Sequence, residues 1–154
     1  MTFQSAAIAI TLVLLIPLIV IDIRKRLLPD YLTMPILAIN LIASMLVGFS
    51  EFKESLLGAL VGGGFFAATA IAGSVILKKE GMGGGDIKLM AALGAALGPL
   101  YVLPAIFCAS LSALIFVLVR YPIRRKFIGE TFPFGPFIAV GFAASLLFRR
   151  FPLL

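Results

Sequence analysis

Histidine is absent from the 154 residues, and cysteine occurs once, at Cys108. Those two scarcities exclude disulfide frameworks, thiolate zinc clusters, histidine metal centres and every triad that needs an imidazole base. Charge is scarce too: 13% of residues are charged and 62% are hydrophobic, where soluble domains run nearer a quarter and a half. The mean hydropathy is +1.17. One core cannot hide that much apolar surface, because a chain of this size leaves roughly 30% of its surface exposed on folding. Lipid is therefore the expected solvent for much of the chain. No linker, low-complexity tract or repeat of roughly 20–50 residues interrupts it, so one domain over 1–154 is expected.

What is present is a series of apolar runs, at about 5–22, 31–49, 55–77, 87–98, 100–119 and 132–148. A crossing helix takes about 20 residues. The expected fold class is all-α, a polytopic membrane protein with about six transmembrane helices. The fourth run is short for a full crossing and ends at Gly98-Pro99, which suits a tilted or half-buried helix and a tight turn. Gly58-x-x-x-Gly62 and Gly94-x-x-x-Gly98 place small residues one turn apart. Such pairs let backbones approach where no hydrophobic effect drives helices together, so runs three and four are expected inside the bundle. Pro17, Pro104 and Pro136 fall within runs, where neighbouring helices can satisfy freed carbonyls. The first run has no basic stretch before it and no small-residue cleavage site after it, so it is expected to be a retained helix.

The net charge of +6 does not point to nucleic acid, since no basic run is long enough to form a binding face. Orientation explains it better. Arg24, Lys25, Arg26, Lys78, Lys79, Lys88, Arg120, Arg124, Arg125 and Lys126 fall on one predicted side, and Lys53, Arg149 and Arg150 on the other. The positive-inside bias puts the first set in the cytoplasm and both termini outside, with Arg149 and Arg150 running against the trend. The clusters at 24–26 and 120–126 read as topology anchors and contacts for anionic lipids.

Ionisable residues in membrane segments are functional candidates, because burying them is expensive unless something uses them. Two acids qualify. Asp22 closes the first run, and Asp86 opens the fourth after Gly81-Met-Gly83-Gly-Gly85. The predicted topology puts both at the cytoplasmic ends of their helices. Paired carboxylates suit water-activating hydrolysis when histidine, cysteine and metal are missing. At about 3 Å apart they share one proton, the ionised member accepting from water and the protonated one donating to a carbonyl oxygen. Glycines before Asp86 leave room for a peptide backbone and permit positive φ.

Each feature also has a structural explanation. Asp22 suits an interfacial residue beside Arg24 and Arg26, and Asp86 suits a helix N-cap. The glycine run suits a turn; a phosphate loop would end in Gly-Lys-Ser/Thr, where this chain has Gly85-Asp86-Ile87. Ser5, Ser44, Ser74, Ser110 and Ser112 are expected to bond back to the preceding turn or across to a neighbour. A serine protease has no evident base here. Glu51 and Glu54 read as solvated loop charges.

Three segments together resemble the type IV prepilin peptidases, membrane aspartic proteases of the GxGD type. Asp22-Ile-Arg-Lys-Arg-Leu-Leu-Pro29-Asp30-Tyr-Leu-Thr33-Met-Pro35 resembles the first aspartate motif of that family. Glu80-Gly-Met-Gly83-Gly-Gly85-Asp86-Ile-Lys88-Leu-Met-Ala-Ala-Leu-Gly94 resembles the second, and Phe132-Pro133-Phe-Gly135-Pro136-Phe the Pro-Phe-Gly-Pro segment. The resemblance implies Asp22 and Asp86 as the catalytic pair. It further implies cleavage of the short basic leader from prepilins or pseudopilins at the cytoplasmic face of the bacterial inner membrane. Gly83, Gly85, Lys88, Pro133 and Gly135 are the expected supporting positions. Lys88 would pair with an acidic substrate residue, act on Asp86, or snorkel to the interface; Asp30, Glu80 and Glu130 would attract the basic leader. The paired cysteines of larger members have no counterpart, so peptidase activity without methyl transfer, and no cofactor or metal, is expected. Two rivals of other classes stand beside this: a small proton-coupled transporter or channel using the acids as a relay, and a non-enzymatic subunit of a secretion machine.

Overall fold

A computed structural model describes residues 3–26, 28–77, 83–120 and 133–150, the side chains at 76, 77 and 120 excepted. The regular elements among them are six helices: α1 Phe3–Lys25, α2 Asp30–Val47, α3 Phe49–Leu77, α4 Gly84–Leu97, α5 Pro99–Arg120 and α6 Gly135–Arg150. Four of these, α1, α2, α3 and α5, are long and apolar enough to cross a membrane. The chain is a helical membrane protein, as its composition requires.

Two of the six expected crossings are shorter than a bilayer. α4 has 14 residues and α6 has 16, about 21 and 24 Å at 1.5 Å per residue, against a hydrocarbon core of about 30 Å. For α4 the shortness matches its placement. It touches all five other helices, and Leu89, Ala92 and Leu93 are completely buried. A helix rich in alanine and glycine suits this position, because small side chains let five neighbours close around it.

The glycine pairs are where α3 and α4 meet. A Cβ on Gly58 would strike the Gly94 carbonyl, a Cβ on Gly94 would strike that of Gly58, and one on Gly62 would lie 2.7 Å from the Met90 carbonyl oxygen. A third close approach carried no paired-glycine signal: Gly141 of α6 lies against the Ala105 carbonyl and Ala109 of α5. Hydroxyls behave as expected. Ser44, Ser74 and Ser112 donate to carbonyls one turn back, while Ser55 and Ser145 reach across to Ala95 and Tyr101.

Three expectations about local structure are corrected. Pro136 is the second residue of α6, where no helical bond is lost, whereas Pro35 stands inside α2 beside Pro17 in α1 and Pro104 in α5. Glu51 and Glu54 belong to the first turns of α3 and not to a loop. Asp86 is the third residue of α4, and the N-cap is Gly83. Lys78, Lys79, Glu80, Arg124, Arg125, Lys126 and Glu130 lie outside the described residues.

Successive helices run antiparallel, so the connectors alternate between two ends. One end holds the C-terminus of α1 and the N-termini of α2, α4 and α6. The other gathers Gly48, Gly98, the start of α1 and the end of α6. At that second end a cavity of about 130 Å³ is lined by Gln4, Glu51, Glu54, Ser55, Tyr101 and Arg149 among others. It lies away from both candidate acids.

Candidate active site

Asp22 sits one turn from the end of α1 and is 4% exposed. Its Oδ2 accepts a 2.8 Å hydrogen bond from the backbone N–H of Gly135, 113 positions away. Gly135 is the first residue of α6, so its N–H is one of the donors that a helix start leaves unpaired. The carboxylate of α1 therefore completes the N-terminus of α6, where the helix dipole also favours negative charge. Glycine at this position lets the carboxylate come this close. A Cβ there would lie 2.7 Å from Asp22 Oδ2 and 3.2 Å from its Cγ.

Asp86 projects from the first turn of α4 at the same end of the bundle, partly buried. Its backbone N–H donates to the Gly83 carbonyl at 3.1 Å, which winds the first turn. The two carboxyl groups are near enough for the charge on Asp22 to act on Asp86, and no direct hydrogen bond joins them among the described residues. The structure thus brings together two acids separated by 64 positions, from two helices.

The glycines before Asp86 serve closeness and not unusual backbone angles. Gly83 has φ −67°, and Gly84 and Gly85 are helical, so the expectation of positive φ fails at these three positions. Gly85 matters sterically: a Cβ would lie 2.6 Å from Leu28 Cβ. Gly83 is looser, since a Cβ there would meet Asp86 Oδ2 at 3.8 Å, an ordinary contact. Leu28 belongs to the connector between α1 and α2, so Gly85 presses the start of α4 onto the segment that follows Asp22.

Lys88 is neither unpaired nor turned on Asp86. Its Nζ donates to Asp30 Oδ2 at 2.6 Å, with the two side chains 41% and 58% exposed. The ion pair ties the first turn of α4 to the first turn of α2 at the rim of the site. Spacing gave no sign of it, because the partners are 58 residues apart. Pro133 stands two residues before α6, partly buried. Between it and Gly135, Phe134 joins Phe66 and Phe137 at ring-centroid distances of 6.0 Å, an aromatic floor under the α6 start. No group of three or more potential metal ligands occurs among the described residues.

The model of the type IV leader peptidase family matches residues 9–118. The chain belongs to that family. It is 37% identical over 142 residues to a prepilin leader peptidase/N-methyltransferase of Aeromonas salmonicida (strain A449), covering 92% of this chain and 48% of the relative. Proteins of the same name in Escherichia coli (strain K12) and Pseudomonas aeruginosa are 35% and 34% identical, over 82% and 95% of this chain and 56% and 50% of their own lengths. The chain spans about half the length of these curated relatives. No solved structure matches it significantly. The family match contains Asp22 and Asp86 and ends before Pro133 and Gly135, so the Gly135 contact is a geometric finding of this leader peptidase fold.

Proposed function

We propose that the chain is a membrane aspartic endopeptidase that removes the basic leader from type IV prepilins or pseudopilins, with Asp22 and Asp86 as its dyad. The observation that carries this is the convergence of those two acids at one end of the bundle, with one of them held by the α6 start. Supporting it is the family membership, with relatives named as prepilin leader peptidases.

The chemistry follows from the side chains. Close carboxyl groups share a proton. The ionised member accepts a proton from a water as its oxygen attacks the scissile carbonyl, and the protonated member donates to the carbonyl oxygen. The carboxyl that took the proton of water then passes it to the leaving amide nitrogen, the other carboxylate recovers a proton from a hydroxyl of the tetrahedral species, and the C–N bond breaks. Gly135 keeps Asp22 aimed, because its N–H bond fixes one carboxylate oxygen and leaves the other for water. Gly83 leaves room beside Asp86 for an extended peptide, and Gly85 holds the start of α4 against Leu28. Asp30, more than half exposed although paired with Lys88, stands at the rim where a Lys/Arg-rich leader would pass. The positive-inside bias puts this end in the cytoplasm of a bacterium, at its inner membrane, where a leader would be presented.

The test is cleavage of a prepilin in proteoliposomes. General acid–base catalysis contributes typically 10²–10⁴-fold, so Asp22→Asn and Asp86→Asn should each reduce kcat at least about 100-fold while the protein stays folded. Full cleavage by either variant would remove the dyad. Proton flux without any cleavage would favour the transporter instead.

A further inference from the structure

The six helices do not end at one level. Contacts between antiparallel partners set the register, since each step back along one helix matches a step forward along the other. Gly58 meets Gly94 and Gly62 meets Met90, which puts Asp86 level with Phe66. Yet α3 continues to Leu77, about 16 Å farther at 1.5 Å per residue. Ser145 meets Tyr101 and Gly141 meets Ala105, which puts Gly135 level with Leu111. Again α5 continues to Arg120, about 13 Å farther. Asn40 bonds Thr11, which puts Asp22 level with Pro29, where α2 is about to begin. Three independent pairings agree: α1, α2, α4 and α6 stop at the acids or within a turn of them, while α3 and α5 overhang them.

The overhangs are apolar and unbroken. On α3 the exposed line Leu60, Ala68, Ile71, Val75 passes the level of the acids without a charge, and on α5 Phe107, Leu111, Leu114 and Leu118 do the same. Ile71, Val75 and Leu118 are 64%, 71% and 62% exposed. Such surface belongs in hydrocarbon. Across the bundle the opposite holds. The Asp30–Lys88 ion pair, about half exposed, is level with Gly64, and Arg24, Lys25 and Arg26 are exposed within four residues of Asp22. Charged groups at that depth require water or headgroups. A flat boundary satisfies one side only: at the end of α3 it drowns the ion pair in lipid, and at the ion pair it strands the overhangs in water.

We infer that the bilayer surface on the acid-bearing side is stepped around this protein. Lipid tails cover α3 and α5 to their ends, and on the α1–α2–α4 side headgroups and water descend by about 13–16 Å to the level of Asp22 and Asp86. A hydrophobic stretch longer than the hydrocarbon thickens the bilayer beside it and a shorter one thins it. With 29 residues, α3 is about 43 Å long, whereas α2 and α4, with 18 and 14, are about 27 and 21 Å, and this contrast supplies the step. The inference rests on the membrane reading; joined to the proposed peptidase activity, it says how water reaches acids that lie opposite the middle of α3.

Site-directed spin labelling of the full chain in proteoliposomes tests it, with Cys108→Ala to leave one thiol for the label. Labels go on Tyr31→Cys at the acid level and on Val75→Cys and Leu118→Cys, which stand about 14 and 10 Å beyond it by helix rise. All three native side chains are exposed. Relaxation by a water-soluble nickel chelate, relative to that by oxygen, should be at least about fivefold greater at 31 than at 75 and 118. This inverts the order of depth that a flat boundary predicts. Equal or greater chelate access at 75 and 118 would overturn the step. Prepilin cleavage, measured on the same vesicles, separates the two ideas: inverted access without cleavage removes the peptidase and keeps the step, and cleavage with ordinary access does the reverse.

Discussion

Replacing Gly135 with alanine isolates the contact that aims Asp22. The added Cβ would lie 2.7 Å from Oδ2 and 3.4 Å from Asp22 Cβ, so the carboxylate must retreat by about 0.7 Å to reach ordinary contact. Little stability is at stake. The atom displaced is the end of a side chain, the Gly135 N–H survives in alanine, and Gly→Ala within a helix returns about 0.5–1 kcal/mol. A weakened charge-assisted hydrogen bond costs about 1.5–3 kcal/mol at most, so the net change should stay within about 2 kcal/mol and move Tm by no more than a few degrees. Catalysis is less forgiving, because a 1 Å misplacement costs about 10²-fold. The expected result is a 30- to 100-fold fall in kcat for prepilin cleavage in proteoliposomes, with KM nearly constant. Gly64→Ala is the control, since its Cβ would meet nothing within 4 Å, and it should cleave normally. Wild-type kcat in Gly135→Ala would refute the idea that this contact sets the position of the acid.

Other substitutions probe other links. Asp30→Lys should lower kcat/KM about 3- to 10-fold by repelling Lys88, and adding Lys88→Asp should recover most of it; a double variant no better than the single would end the positioning role of the pair. The pair itself, half in solvent, is worth only about 0.2–1 kcal/mol of stability, so Tm should barely move in either. Gly94→Val puts side-chain atoms into the Gly58 carbonyl and should cost more than about 4 kcal/mol, read as loss of the monodisperse peak in detergent chromatography. Asn40→Ala removes the 2.8 Å bond to Thr11, but the Thr11 hydroxyl still donates to Ala7. A loss of about 0.6–1.5 kcal/mol is expected in a thermal melt, with cleavage unchanged because the bond lies about 16 Å along α1 from Asp22.

What could be read in the linear chain, and what could not, divides along a physical line. Asp22 and Asp86 were legible because a carboxylate in an apolar run costs transfer free energy wherever it ends up, and that cost belongs to the residue alone. The same holds for the apolar runs and for the shortness of the fourth. The paired glycines were legible at one remove, since a small residue every fourth position makes a groove before any partner is known. Partners are another matter. That Lys88 holds Asp30 and that the N–H of Gly135 holds Asp22 depends on which helix lies beside which, and lipid supplies no hydrophobic force to favour one neighbour over another. Gly141 lacked even a second glycine to announce its groove.

The same division accounts for the level of the acids. Every run but the short fourth, taken alone, has the length of a full crossing, so the linear chain put Asp22 and Asp86 at an ordinary lipid boundary. Only the registers Gly58–Gly94, Ser145–Tyr101 and Thr11–Asn40 show four helices stopping near the middle of α3 and α5. Depth in a membrane is thus a property of the pairings. For the proposed peptidase the acids need water in a lipid setting, and the inferred step would supply it because α1, α2, α4 and α6 end near the level of Asp22 and Asp86.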